Sequence, residues 1–167
     1  MRRLLIVGAV AVAVLPLASC GGSGGKSASE RTMQRQADLY AIDQIEKNFH
    51  KATSKKDIEL MMSLWAPNAT FTLGPGQTAA GKAQIRRFWL EKSKAFEPTN
   101  HWISDTAAYK IRITVNGDRG TLHFECHYVD ADTHKLEVVT VADQDVARID
   151  GRWLITNMVA GSADLSP

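Results

Sequence analysis

Among the residues of this 167-residue chain able to do chemistry, the densest group is His123-x-Glu125-x-His127. An imidazole titrates near neutrality and is the side chain best suited to passing protons there. His101, in Thr99-Asn100-His101-Trp102, is the second candidate, and with His123 it would make an acid/base pair if both faced one pocket. Asp145 is a candidate acid, although it is one of four acids, with Asp130, Asp132 and Asp143, in a short stretch where solvated carboxylates are the common outcome. No metal is assigned to His123-x-Glu125-x-His127, because on a strand the two imidazoles stand ~13 Å apart and only adjacent members could chelate together. There is no Gly-rich phosphate loop, nucleophile elbow or Cys-x-x-Cys. No cofactor is expected.

These candidates sit on the second half of a chain that changes character near His101. Before it, Leu39, Ile42, Ile45 and Phe49 recur at helical spacing between Met33 and His50, with Asp38, Glu46 and Lys47 expected to face water. Ile58, Met61, Met62 and Trp65 mark a second helix, closed by Ala66-Pro67-Asn68. Asn68 to Leu73 reads as a short strand, and Gly81 to Phe96 as a third helix burying Ile85, Phe88, Trp89 and Phe96. After His101, Tyr109, Ile111, Ile113 and Val115 alternate with polar residues, the period of a strand. Asn116-Gly117 turns into a strand from Gly120 to Val129, and Leu136 to Ile149 and Arg152 to Val159 supply two more around Asp150-Gly151. Helices followed by hairpin-linked strands make an α+β fold, a curved antiparallel sheet with three N-terminal helices on one face. The parity of the strand around His123 leaves two readings open. Composition puts Leu122, Phe124, Cys126 and Tyr128 inside and the three polar residues in water.

The ends set an address. Arg2 and Arg3 precede a mostly apolar run from Leu4 to Leu17, too short for a span that needs ~20 apolar residues. The run stops at Leu17-Ala18-Ser19-Cys20, which resembles the cleavage motif of bacterial lipoproteins. The resemblance implies a signal peptide over 1–19, lipid on Cys20, and a domain held at a membrane in the cell envelope. Gly21 to Ser29 is rich in Gly and Ser, so 20–33 is expected to be a flexible tether and 34–164 the domain. Removing Arg2 and Arg3 from the 20 basic residues brings them level with the 18 acidic ones, a balance that points to no nucleic-acid partner. With Cys20 taken by lipid, Cys126 has no disulfide mate and the apolar core must hold the fold.

Asp57 opening a helix, then Leu64-Trp65-Ala66-Pro67-Asn68-Ala69-Thr70-Phe71, Gly81 before a helix, and Arg148-Ile149-Asp150-Gly151-Arg152-Trp153 stand in an order that resembles the SnoaL-like branch of the nuclear transport factor 2-like superfamily. The likeness covers roughly residues 36 to 160 and implies a bent sheet wrapped into a cone around a pocket, often in a homodimer. Ketosteroid isomerases of this superfamily use a carboxylate base and an oxyanion site of a tyrosine and a protonated aspartic acid. The matching positions here are Leu73, Phe49 and Asp145, so that machinery is incomplete. The histidine pair of scytalone dehydratases matches His101 and His123, but their aspartate falls at Ser54 and their tyrosines at Thr53 and Leu73. Alignment to both relatives would put His123 and Glu125 inside the cone, the reverse of what composition implies. The preferred expectation is a domain that binds a small apolar ligand, or a protein partner, without catalysis. Glu125, His127, Trp102, Phe49 and Leu73 would be its binding residues. The alternative is a lyase or isomerase using His101, His123 and Asp145, and a third reading is a dimeric interaction module joined through Leu122, Phe124 and Tyr128.

Overall fold

The computed structural model describes residues 25–104 and 109–163. The leader, Cys20 and most of the tether, for which lipidation and export are expected, lie outside the described residues. Helix α1 (Ala28–Lys55) begins five residues before Met33 and so takes in part of the span expected as tether. The reason is local: the Ser27 side chain accepts from the Glu30 amide while Glu30 accepts from the Ser27 amide, a capping box that starts the helix. Helix α2 (Ile58–Ser63) is capped by Asp57, and α3 (Lys82–Glu91) is followed by a short 3-10 turn, Lys94–Phe96. Trp65, expected at the end of the second helix, instead opens strand β1 (Trp65–Leu73).

The remaining strands are β2 (Thr78–Ala80), β3 (Trp102–Ile103), β4 (Tyr109–Asn116), β5 (Arg119–Asp130), β6 (Leu136–Ile149) and β7 (Arg152–Ser162). They form one sheet in the order β2-β1-β7-β6-β5-β3, with β4 also on β5. All pairings are antiparallel except β1 with β7, which is parallel. The fold is α+β, an antiparallel-rich curled sheet covered on one face by the helices. Register shifts at Trp65/Thr70, Tyr109/Arg112, Tyr128/Val129 and Asp145/Val146 bend the sheet, as bulges do.

The bulge in β4 corrects the simple alternation. Lys110 has a positive φ of 55°, and beyond it Ile113 and Val115 pack on the core while Ile111 is exposed. Two charged residues expected in water are buried. Asp38 accepts from Arg148 Nη2 at 2.5 Å and from the Trp153 indole at 3.3 Å, clamping α1 to the β6–β7 hairpin. Glu46, about two turns further along α1, lies inside as well. The interior gathers Ile42, Phe49, Trp65, Phe71, Ile85, Leu122, Phe124 and Ile155, each nearly or wholly inaccessible to water.

Candidate functional site

Between the concave side of the sheet and α1, α3 and the 3-10 turn lies a cavity of about 140 Å3. Phe49 from α1, Phe71 and Leu73 from β1, and Phe88 and Trp89 from α3 wall one side. Trp102, Cys126, Tyr128, Val138, Thr140, Ala142, Met158 and Ala160 close the other. The aromatic rings brace one another: Phe49 meets Trp89 and Phe124 edge-on at 5.5 Å, and Phe71 stacks on Trp89 at 5.7 Å. Trp102, from the short β3, packs at 5.7 Å against Tyr128 of β5. The cavity is smaller than the few hundred Å3 usual for a ligand site, because these rings fill much of the cone themselves.

A polar cluster stands behind this wall. His50 Nδ1 meets the carbonyl of Ser104, an acceptor only, so this nitrogen carries a proton. Nε2 lies 3.2 Å from Glu46 Oε1 and 3.8 Å from Cys126 Sγ. Burial, helped by the charge of Asp43 and opposed by Lys47, lifts the Glu46 carboxyl from 4.5 to about 7. A protonated Glu46 can then donate to Nε2. Burial likewise pushes the Cys126 thiol up to about 12, which holds it as a thiol rather than a nucleophilic thiolate. The Tyr128 hydroxyl is held well above its ordinary value by the same desolvation, with Cys126 adding to the rise and Thr53 and Thr140 opposing it. None of Glu46, His50 and Tyr128 was expected as a site residue from the sequence, which put Glu46 in water and Tyr128 at a dimer joint. Glu46 and His50 are an i, i+4 pair on the apolar stripe of α1, and that spacing was the available signal.

The structure answers the question of strand parity in β5. Leu122, Phe124, Cys126 and Tyr128 are buried on the concave side, as composition implied. His123, Glu125 and His127 therefore lie on the outer face, against what alignment to the relatives implied. His123 Nδ1 sits 2.6 Å from Asp143 Oδ1 on β6. Glu125 is covered by Lys110 Nζ at 2.7 Å and His127 Nε2 at 3.2 Å, and these bonds hold its carboxyl below the usual range. His101, at the start of β3, is exposed and pairs with Asp132, whose carboxylate raises the imidazole's pKa. Its carbonyl accepts from the Ala131 amide, beyond the end of β5, whereas His123 lies in the first half of that strand. At about 3.3 Å per residue they are separated by roughly 25 Å of strand. Asp145 is exposed and accepts from Asn157 Nδ2 at 3.2 Å. The structure thus brings Phe49, Leu73 and Trp102 to one cavity and does not bring His101, His123 and Asp145 together. With Leu122, Phe124 and Tyr128 in the core, an interface through them is not available. Among the described residues no group of three or more His, Cys, Asp or Glu is placed to hold a metal, and no helix is long and apolar enough to cross a membrane.

Residues 34–159, nearly the whole described domain, match the SnoaL-like domain. This chain belongs to the SnoaL-like domain family. No curated protein matches the sequence. Similar solved structures include a nuclear transport factor 2-like protein with a cystatin-like fold from Novosphingobium aromaticivorans. It is 15% identical at a TM-score of 0.71, over 86% of this chain and 94% of that one. A hexachlorocyclohexane dehydrochlorinase from Novosphingobium barchaimii is 16% identical at a TM-score of 0.66, over 81% of this chain and 93% of its own. At such identities the SnoaL-like chain shares a fold with these proteins, and its chemistry rests on its own residues.

Proposed function

We propose that this SnoaL-like domain binds a small, largely apolar molecule in its concave cavity without transforming it. The observation that carries the reading is the cavity itself: about 140 Å3, walled mainly by aromatic and aliphatic side chains. An apolar hollow of about 150 Å3 stays dry and accepts a molecule the size of benzene. Against catalysis by the histidines stands the engagement of His101 and His123 by separate carboxylates, outside the cavity. Toluene is a suitable probe. It should raise the melting temperature of the protein, since a ligand bound only by the folded state stabilises it by mass action. Ala142→Leu, which places a larger side chain in the cavity wall, should abolish that rise while leaving the fold intact. An equal rise in both proteins, or none in the wild type at saturating toluene, would remove the reading.

The address belongs to the same proposal: the domain is lipid-anchored in the cell envelope, facing the periplasm or exterior. Its support is the basic start, the apolar run and Cys20 at the point where that run ends. Cys20→Ser should abolish incorporation of labelled palmitate and move the protein from the membrane to the soluble fraction. Retained label would sink this half of the proposal without touching the other.

A further inference from the structure

The exposure of its walls gives the central cavity a direction. Phe49, Phe71 and Cys126 are buried, whereas Leu73, Trp102, Val138 and Thr140 are half-buried and Lys94 is exposed, so the opening lies beside the 3-10 turn. Polarity is divided the same way. Tyr128 and Cys126 are sealed inside, where burial keeps the phenol and the thiol neutral. Ser93 and Lys94 stand at the opening, on the segment that leads out of α3. Ser93 takes the capping position of the 3-10 turn, yet its hydroxyl makes no capping bond. Lys94 pairs with no carboxylate among the described residues, and Glu91 and Glu97 to either side of it are exposed to solvent. Lys56 Nζ donates to the Ala95 carbonyl at 3.3 Å, which brings a second cation to the same turn.

The mouth thus offers an ammonium and a hydroxyl that no described residue engages, at the rim of a hollow lined at depth mostly by aromatic and aliphatic side chains. We infer that the cavity takes an amphiphilic monocarboxylate, with an apolar body the size of benzene, about six carbons, inside and the carboxylate at the mouth against Lys94 and Ser93. This rests on the reading of the cavity as a binding site and adds the chemistry of what binds there. A volume of about 140 Å3 admits the apolar body alone. The charged end stays at the rim, where water still reaches it and the heavy cost of burying an ion is avoided. The four-carbon stem of Lys94 is flexible, so its ammonium can close over the carboxylate as a point charge. A cationic end group in the same place would instead be repelled by Lys94 and Lys56.

The test compares three ligands that share one ring: toluene, phenylacetate and benzylammonium. Each is titrated against the whole protein, following tryptophan fluorescence, since Trp89 and Trp102 line the cavity. Phenylacetate should bind more tightly than benzylammonium, and added salt should weaken phenylacetate while leaving toluene unchanged. Lys94→Ala should weaken phenylacetate about two- to fivefold, the range of an ion pair near the surface, and leave toluene as it was. Lys94→Glu should reverse the order of phenylacetate and benzylammonium. Ala142→Leu, which fills the cavity, should abolish the binding of phenylacetate. Phenylacetate that binds Lys94→Ala as well as it binds the wild type, or benzylammonium that binds the wild type as tightly as phenylacetate, would overturn the inference. Phenylacetate still bound by Ala142→Leu would place it on the outer lysines and overturn the inference too. If toluene binds and phenylacetate does not, the inference falls and the cavity stands as a site; if neither binds, both fall together.

Discussion

The residues that matter most inside this domain are polar ones in an apolar setting. Glu46 has a folded-state pKa of about 7 against an ordinary 4.5, so between those values the native protein holds a proton that the unfolded chain has released. Stability from this group is complete below about pH 4.5 and is lost as the pH rises through 7. Glu46→Gln keeps a donor for His50 Nε2 and removes the titration. Its stability should fall less than the wild type's between pH 5 and 8, measured by denaturant unfolding at several pH values. Parallel curves for the two proteins would show that Glu46 ionises freely despite its burial. At this scale the sequence was legible only in part. His123, Glu125 and His127 were visible as a cluster, but whether they faced the cone depended on the parity of β5, and two lines of reasoning gave opposite answers. Asp38 and Glu46 were misplaced because charge suggests solvent, whereas Arg148, Trp153 and His50 provide partners that make burial tolerable.

Elements are positioned by close approaches and bulges. On β5, Gly120 pairs with Val115 of β4 and Val146 of β6 while Ile42 of α1 presses from above. A Cβ there would collide with the Thr114 carbonyl oxygen and stand 3.2 Å from Ile42 Cδ1 and 3.3 Å from Val146 Cγ2. Gly120→Ala should therefore destabilise the protein by about 1–3 kcal/mol, the usual effect of overpacking, seen as a lower denaturant midpoint. An unchanged midpoint would mean that β4 and α1 yield without cost. Most elements were readable from periodicity and turn residues: β5, β6 and β7 start within a residue or so of where hydrophobic spacing put them, while α1 runs five residues past each expected end and α3 stops at Glu91 rather than Phe96. The short strands β2 and β3 were not, since Thr78–Ala80 and Trp102–Ile103 are too short to carry a pattern. The bulge at Lys110 was equally invisible, because a single shifted residue leaves the local composition unchanged.

Over the whole molecule, α1 and the curled sheet enclose Cys126, which is free and buried. In a Cys20→Ser background, a thiol reagent should reach Cys126 only when the domain opens, and urea near the unfolding midpoint should accelerate labelling by orders of magnitude. Rapid labelling of the native protein would instead reveal an open route through the cavity. Such a route would also change how the cavity is filled, since Cys126 forms part of its wall.

The sequence by itself determined the class of fold, the order of its main elements and the family, because those follow from hydrophobic period, turn chemistry and motif order, all local properties of the chain. It also carried the signs of a lipid-anchored address. Only the tertiary structure decided which side of β5 faces inward and that the cone is mostly filled. Those outcomes depend on the register across β4, β5 and β6 and on volumes contributed by residues far apart in the chain. A side chain's neighbours across a sheet are set by pairing, and pairing is not written in any one segment.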